Sequence, residues 1–154
     1  MVEEFEPEQQ RPGSNSCLPT AIRAILRYYG RDVTQSQISN WCQEGPDGCV
    51  IDLAMDGLCA QDWDVIEPTD GPETEIRQYV NDENEPTPVL VTIKPAFSDV
   101  TDHAVAVLGV GKGDSGNEEV TFMDPLTGRI EALNAELFFL QMDNAGQLAF
   151  VIQG

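Results

Sequence analysis

The sequence predicts an α+β domain, with helices in its first half and an antiparallel sheet in its second. Three observations carry this. A 3.6-residue apolar period is confined to the first half, short β-rich runs separated by turn residues fill the second, and a length of 154 residues suits one core. Residues 1–154 are therefore expected to form a single domain. Residues 1–13 should be an extended arm, because Pro7, Pro12 and Gly13 interrupt a stretch without apolar period.

The first helix follows the polar run at the start of SNSCLPTAIRAILRYYG (14–30). Leu18, Ala21, Ile22, Ile25, Leu26 and Tyr29 share one face, Arg23 and Arg27 lie on the other, and Gly30 is a C-terminal stop. A second helix is expected from Gln35 to about Cys42, where Thr34 and Gln37 make a capping box and Ile38 and Trp41 share a face. Gly45-Pro46-Asp47-Gly48 breaks it. A third runs from Val50 to Ala60, WDVIEP after it reads as a short strand, and residues 74–83 form a further helix. The β-rich runs are 88–94, 102–110, 118–124, 128–133 and 147–153, with NAELFFLQM as a short helix before the last. GVGKGDSG (109–116) looks like a phosphate loop, but Gly113 stands where that motif needs Ser or Thr, and a strand follows instead of a helix. It is expected to be a hairpin turn.

Charge narrows the partners. With 27 acidic residues against 8 basic ones the formal net charge is -19, a field that repels phosphate backbones and anionic membranes. No nucleic acid is expected. The longest apolar run, Ala104 to Val110, is too short to span a bilayer, and the acidic start MVEEFEPEQQRPGS is neither a secretory signal nor a transit peptide. A cytoplasmic setting without membrane insertion follows as the expectation. An acidic surface with lysine only at Lys94 and Lys112 resembles that of proteins from salt-in halophiles, so a high-salt cell stands beside the reading of an ordinary acidic protein.

The candidate chemistry rests on one thiol, the single histidine and one carboxylate. Cys17 stands at the start of its helix, where unpaired backbone N–H groups and the positive end of the dipole favour a thiolate. His103 opens a strand, so its imidazole can emerge at the edge and act as the base a thiol nucleophile needs. Asp124, in FMDPLTG, ends another strand, where a carboxylate can accept the second ring N–H and fix the tautomer. Taken singly, each has a structural reading too: a small residue near a helix start, a capping histidine, an Asp-Pro turn opener. Cys49 also precedes a helix, but one imidazole serves one thiol. Cys42 and Cys59 read as packing residues. The spacing allows a Cys42–Cys49 disulfide, but without an export signal four free thiols are expected. The cysteines have no CxxC pairing, so neither a metal nor a cofactor is expected.

Cys17 and Pro19 at the head of AIRAILRYYG, the DHAVAVLG strand and DPLTG together resemble the C39-type, bacteriocin-leader-processing branch of the papain-like cysteine peptidases. The resemblance runs from about Gln10 to Leu140, with TPVLVTIK in the family's order. It implies a papain-like fold in which N-terminal helices pack on a C-terminal antiparallel sheet. Cys17 is then the nucleophile, His103 the general base and acid, and Asp124 the residue that orients the histidine. The family pattern places an oxyanion-hole glutamine six residues before the nucleophile, which is Arg11 here. Gln10 is one residue further out, and slack at Pro12-Gly13 lets it serve. The family often has glycine after the nucleophile, where this chain has Leu18, whose bulk would narrow the cleft.

The implied function is a thiol-dependent peptide hydrolase working through an acyl-enzyme. Its substrates would be peptides or proteins, leader peptides among them, with any transporter a separate chain. The same triad could run acyl transfer or deamidation. The alternative from another class is a catalytically silent papain-like module that binds a peptide or partner protein, as a subunit of a larger viral or secretion assembly.

Overall fold

Helix α1 (Cys17–Tyr28) buries Leu18, Ala21, Ile22, Ile25 and Leu26, the face that the apolar period marks. Gly30 adopts φ +84°, which lets Gly30 and Arg31 turn their N–H groups back onto the carbonyls of Arg27 (2.9 Å) and Leu26 (3.0 Å) and ends the helix. This computed structural model describes residues 1–11, 16–43, 45, 49–68, 71–95 and 103–154. Helix α2 (Gln35–Trp41) carries the expected capping box: Gln37 N–H donates to Thr34 Oγ1 at 3.1 Å, and Thr34 N–H to Gln37 Oε1 at 2.9 Å. Helix α3 (Ile51–Ala60) and strand β1 (Asp64–Ile66) follow. Helix α4 (Pro72–Val80) starts two residues earlier than the sequence suggests because Pro72, lacking an N–H, fits the first helical turn.

Strands β2 (Val89–Ile93), β3 (His103–Lys112), β4 (Glu118–Asp124) and β5 (Arg129–Asn134), helix α5 (Ala135–Asn144) and strand β6 (Ala149–Gln153) complete the order. The strands form one sheet, β1-β6-β2-β3-β4-β5, with every neighbouring pair antiparallel. Residues 109–116 form the end of β3 and the turn into β4, a hairpin as expected.

Side chains alternate between two cores. Leu90, Ala104, Ala106, Met123, Phe150 and Ile152 join α1, α2 and α3 on one side of the sheet. Val89, Val91, Val105, Val107, Phe122 and Val151 join α4 and α5 on the other. The helices-first order therefore leads to a sheet covered on both faces, which explains why all five residues of β2 are buried. A further departure is β1, which leaves the helical half to become an edge strand beside β6.

The β3–β4 register shifts between Val107 and Gly109, a bulge at Leu108. The carbonyl of Leu108 accepts the N–H of Val2 at 2.7 Å, and Val2 and Phe5 are buried in the core that α1 shares. A Cβ at Gly109 would stand 2.5 Å from the Met1 side chain, which would have to shift to admit a larger residue.

The expectation of four free thiols is corrected. Cys42 and Cys49 form a disulfide, with Cα atoms 5.1 Å apart, which joins the end of α2 to the segment before α3. Cys17 and Cys59 are the free cysteines. Cys59, read from sequence as a packing residue, is exposed. No helix among the described residues is long and apolar enough to cross a membrane.

Candidate active site

Cys17 is the first residue of α1, after the N-cap Ser16, whose side chain makes no capping hydrogen bond to the helix. The sulfur instead meets that end of the helix, with the backbone of Leu18 and of Ala104 and the imidazole of His103 as hydrogen-bond partners. Burial alone pushes the thiol up. The hydrogen bond and positive charge of His103, together with the two backbone contacts, outweigh it and hold Cys17 below its ordinary value.

His103 opens β3 and Asp124 closes β4, so the antiparallel pairing of these strands brings both residues to one end of the sheet. His103 Nε2 lies 2.5 Å from Asp124 Oδ1, with both side chains largely buried. With Nε2 engaged by the carboxylate, Nδ1 is the ring nitrogen left to serve the sulfur. Burial disfavours the imidazolium, but Asp124 and Cys17 on its two sides raise the pKa to about 9. Asp124 is in turn pushed up by burial, and is brought below its ordinary value by His103 and by the N–H of Leu126, which donates to Oδ1 at 2.9 Å. That bond is an Asx turn, the local structural role that the Asp-Pro pair predicts; it coexists with the contact to His103.

Gln10 is buried, and its backbone N–H donates to the carbonyl of Pro125 at 2.7 Å. This sets it against the turn that follows Asp124. The turn is shaped to receive the arm: Gly128 has φ +69°, and a Cβ there would stand 2.7 Å from Gln9 Cβ. Leu18, expected to crowd the thiol, is packed in the same core as Ala21 and Ile22. Ser14, Asn15, Asp102 and the Pro12-Gly13 pair lie outside the described residues. Among those described, no cluster of His, Cys, Asp and Glu could hold a metal ion.

Two acidic side chains escape the sequence reading. Glu131 of β5 hydrogen-bonds Asp124, and burial together with the Asp124 charge pushes it up. The β4–β5 register, with Asp124 opposite Arg129 and Phe122 opposite Glu131, makes them diagonal neighbours. Glu8 accepts hydrogen bonds from Arg23 and Arg27 of α1. No local motif announces it.

The Peptidase_C39 like family matches residues 2–146. No curated protein sequence gives a significant match. Among solved structures, a C39-like peptidase from Bacillus anthracis superposes with a TM-score of 0.78 at 15% identity, covering 98% of this chain and 95% of that one. The peptidase domain of Streptococcus ComA, a bi-functional ABC transporter involved in quorum sensing, gives 0.75 at 13% identity, with 97% and 98% covered. A double glycine motif protease from an AMS/PCAT transporter, solved in complex with the leader peptide, gives 0.71 at 15% identity, with 99% and 96% covered. At these identities the likeness is one of fold.

Proposed function

Because the chain belongs to the Peptidase_C39 like family, we propose that it is a thiol-dependent peptide hydrolase whose triad is Cys17, His103 and Asp124. What supports this is the hydrogen-bonded run from the Cys17 sulfur through His103 to Asp124. The Cys17 thiolate attacks the peptide carbonyl carbon, forming the S–C bond while the carbonyl oxygen takes up negative charge. The Cys17 backbone N–H and the Gln10 side-chain amide stabilise that oxygen. Nδ1 of His103 gives its proton to the leaving amine, the C–N bond breaks, and a thioester remains. Water then attacks the thioester, giving its proton to His103, and the acid product leaves with restoration of the ion pair. Asp124 keeps the ring oriented and the imidazolium stable throughout. The substrate class we assign is a peptide or protein segment, with leader peptides, the ligand of the AMS/PCAT protease, as the first to test.

The test is alkylation by iodoacetamide as a function of pH, mapped by mass spectrometry in molar KCl. Exposed Cys59 is an internal reference thiol. At pH 6 Cys17 is expected to react at least about tenfold faster than Cys59. His103→Ala should remove that advantage. Equal reactivity of the two thiols in the wild type would reject the catalytic reading and leave the silent peptide-binding module.

The His103 pKa of about 9 sets a second expectation. The imidazolium is the general acid, so kcat/KM should fall on an alkaline limb near pH 9. The stability that the charged ring contributes is fully present below about pH 6.5 and is lost as pH rises through about 9. Asp124→Asn keeps an acceptor for Nε2 but removes the charge, and should shift the alkaline limb to lower pH. A limb that stays in place would exclude Asp124 as the source of the raised pKa.

A further inference from the structure

The arm before α1 is anchored at three places: Val2 on the β3 bulge, Glu8 on α1, and Gln10 on the β4–β5 turn. The middle anchor is ionic. Glu8 Oε1 accepts from Arg23 Nη1 at 2.9 Å and Arg27 Nη1 at 3.0 Å, with the Glu8 side chain only 9% exposed. Arg23 is itself fixed by an Nε hydrogen bond to the carbonyl of Val33 at 3.1 Å, and Arg27 makes a second ion pair, to Glu6, at 2.9 Å. A chain with 8 basic residues among 27 acidic ones thus commits two to one carboxylate. The other Glu8 oxygen, Oε2, is buried without a hydrogen-bond partner among the described residues. A buried charge of this kind is poorly justified as a source of stability, since an apolar side chain would do as well, and is better suited to fixing one geometry.

That geometry is the relation between α1, which carries Cys17, and Gln10, two residues beyond Glu8. We propose that Glu8 is a positioning residue: clamped by Arg23 and Arg27, it holds the arm on α1 so that the Gln10 amide is set for the oxyanion formed at Cys17. Glu8 acts through Gln10 and touches neither substrate nor thiol. The proposal rests on the peptidase reading and on the role assigned there to Gln10.

The test separates chemistry that develops an oxyanion from chemistry that does not. Addition of the thiolate to a peptidyl-Gly-Gly aldehyde forms an S–C bond and puts charge on the aldehyde oxygen, which then takes a proton. Displacement of iodide from iodoacetamide develops no such charge. Glu8→Gln is expected to lower kcat for a peptidyl-Gly-Gly amide and to weaken aldehyde binding, each by about tenfold, less than the roughly hundredfold or greater cost of losing one oxyanion donor outright. KM and the alkylation rate of Cys17 at pH 6 should stay within about twofold of wild type. Gln10→Ala should show the same pattern at full strength, and the double variant should fall no further than Gln10→Ala alone. Arg27→Gln, a change on the more open side of the clamp, should give a smaller loss of the same kind and keeps the test available if Glu8→Gln folds poorly. Wild-type kcat in both Glu8→Gln and Arg27→Gln, with Gln10→Ala impaired, overturns the clamp and leaves the peptidase reading intact. Equal loss of hydrolysis and alkylation in Glu8→Gln overturns it as well, by showing an effect on the whole site. An unimpaired Gln10→Ala removes the oxyanion role on which the clamp depends. A wild type that neither cleaves the amide nor binds the aldehyde rejects the peptidase reading itself.

Discussion

Cys17→Ala and His103→Ala are each expected to lower kcat/KM for peptide cleavage by about four orders of magnitude or more, and the double variant is expected to fall no further. The reason is that the two residues act as one unit. The hydrogen bond and charge of His103 lower the Cys17 thiol against the cost of its burial, and Cys17 and Asp124 on either side raise the imidazole. Removing the ring leaves a buried thiol without its counter-charge. Removing the sulfur leaves an imidazolium with nothing to activate. Additive losses in the double variant would mean that the two residues contribute independently, and would contradict a single ion-paired nucleophile.

Phe138→Ala is expected to cost about 3–5 kcal/mol of stability, the usual range for emptying a buried aromatic site. The side chain is fully buried, with its ring 5.4 Å from that of Phe122 and 5.7 Å, edge-on, from that of Phe139. It pins α5 to β4 on the face of the sheet away from α1. At about 2–4 °C per kcal/mol for a chain of this size, the midpoint should drop by roughly 10 °C. Chemical denaturation and a melt would check this, and a loss below about 1 kcal/mol would show that α5 repacks. Since the proposed triad lies on α1, β3 and β4, kcat/KM measured well below the lowered midpoint should be close to wild type.

These two sites differ in how far they could be read in advance. Helices α1 and α2 were legible because their signals are local: an apolar stripe closed by Gly30, and a capping box at Thr34 and Gln37. The candidate triad was legible in residue type and order, since a helix start, a strand start and an Asp-Pro turn each leave a mark in a few residues. The covering of both sheet faces was not, because strand order depends on pairings such as β1 with β6 that no local period encodes. Arg23 and Arg27 show in the sequence only as the far side of α1. Their partner Glu8 lies 19 residues before Arg27, in a segment without periodicity. Cys42 and Cys49 had the right spacing for a bridge, and the compartment argument against it was an inference about surroundings that the folded chain does not follow.

The arm also bears on when this site can exist. Gln9 donates to the carbonyl of Leu126, 117 residues away, and Gln10 bonds the neighbouring Pro125. A ribosome delivers the arm and the thiol well before the β4–β5 turn. On a nascent chain, Cys17 therefore emerges long before His103, Asp124 or the turn that receives Gln10. Contacts this distant close slowly and only after the intervening sheet has formed. The candidate site is thus assembled only once the β4–β5 turn has emerged and folded back onto the arm.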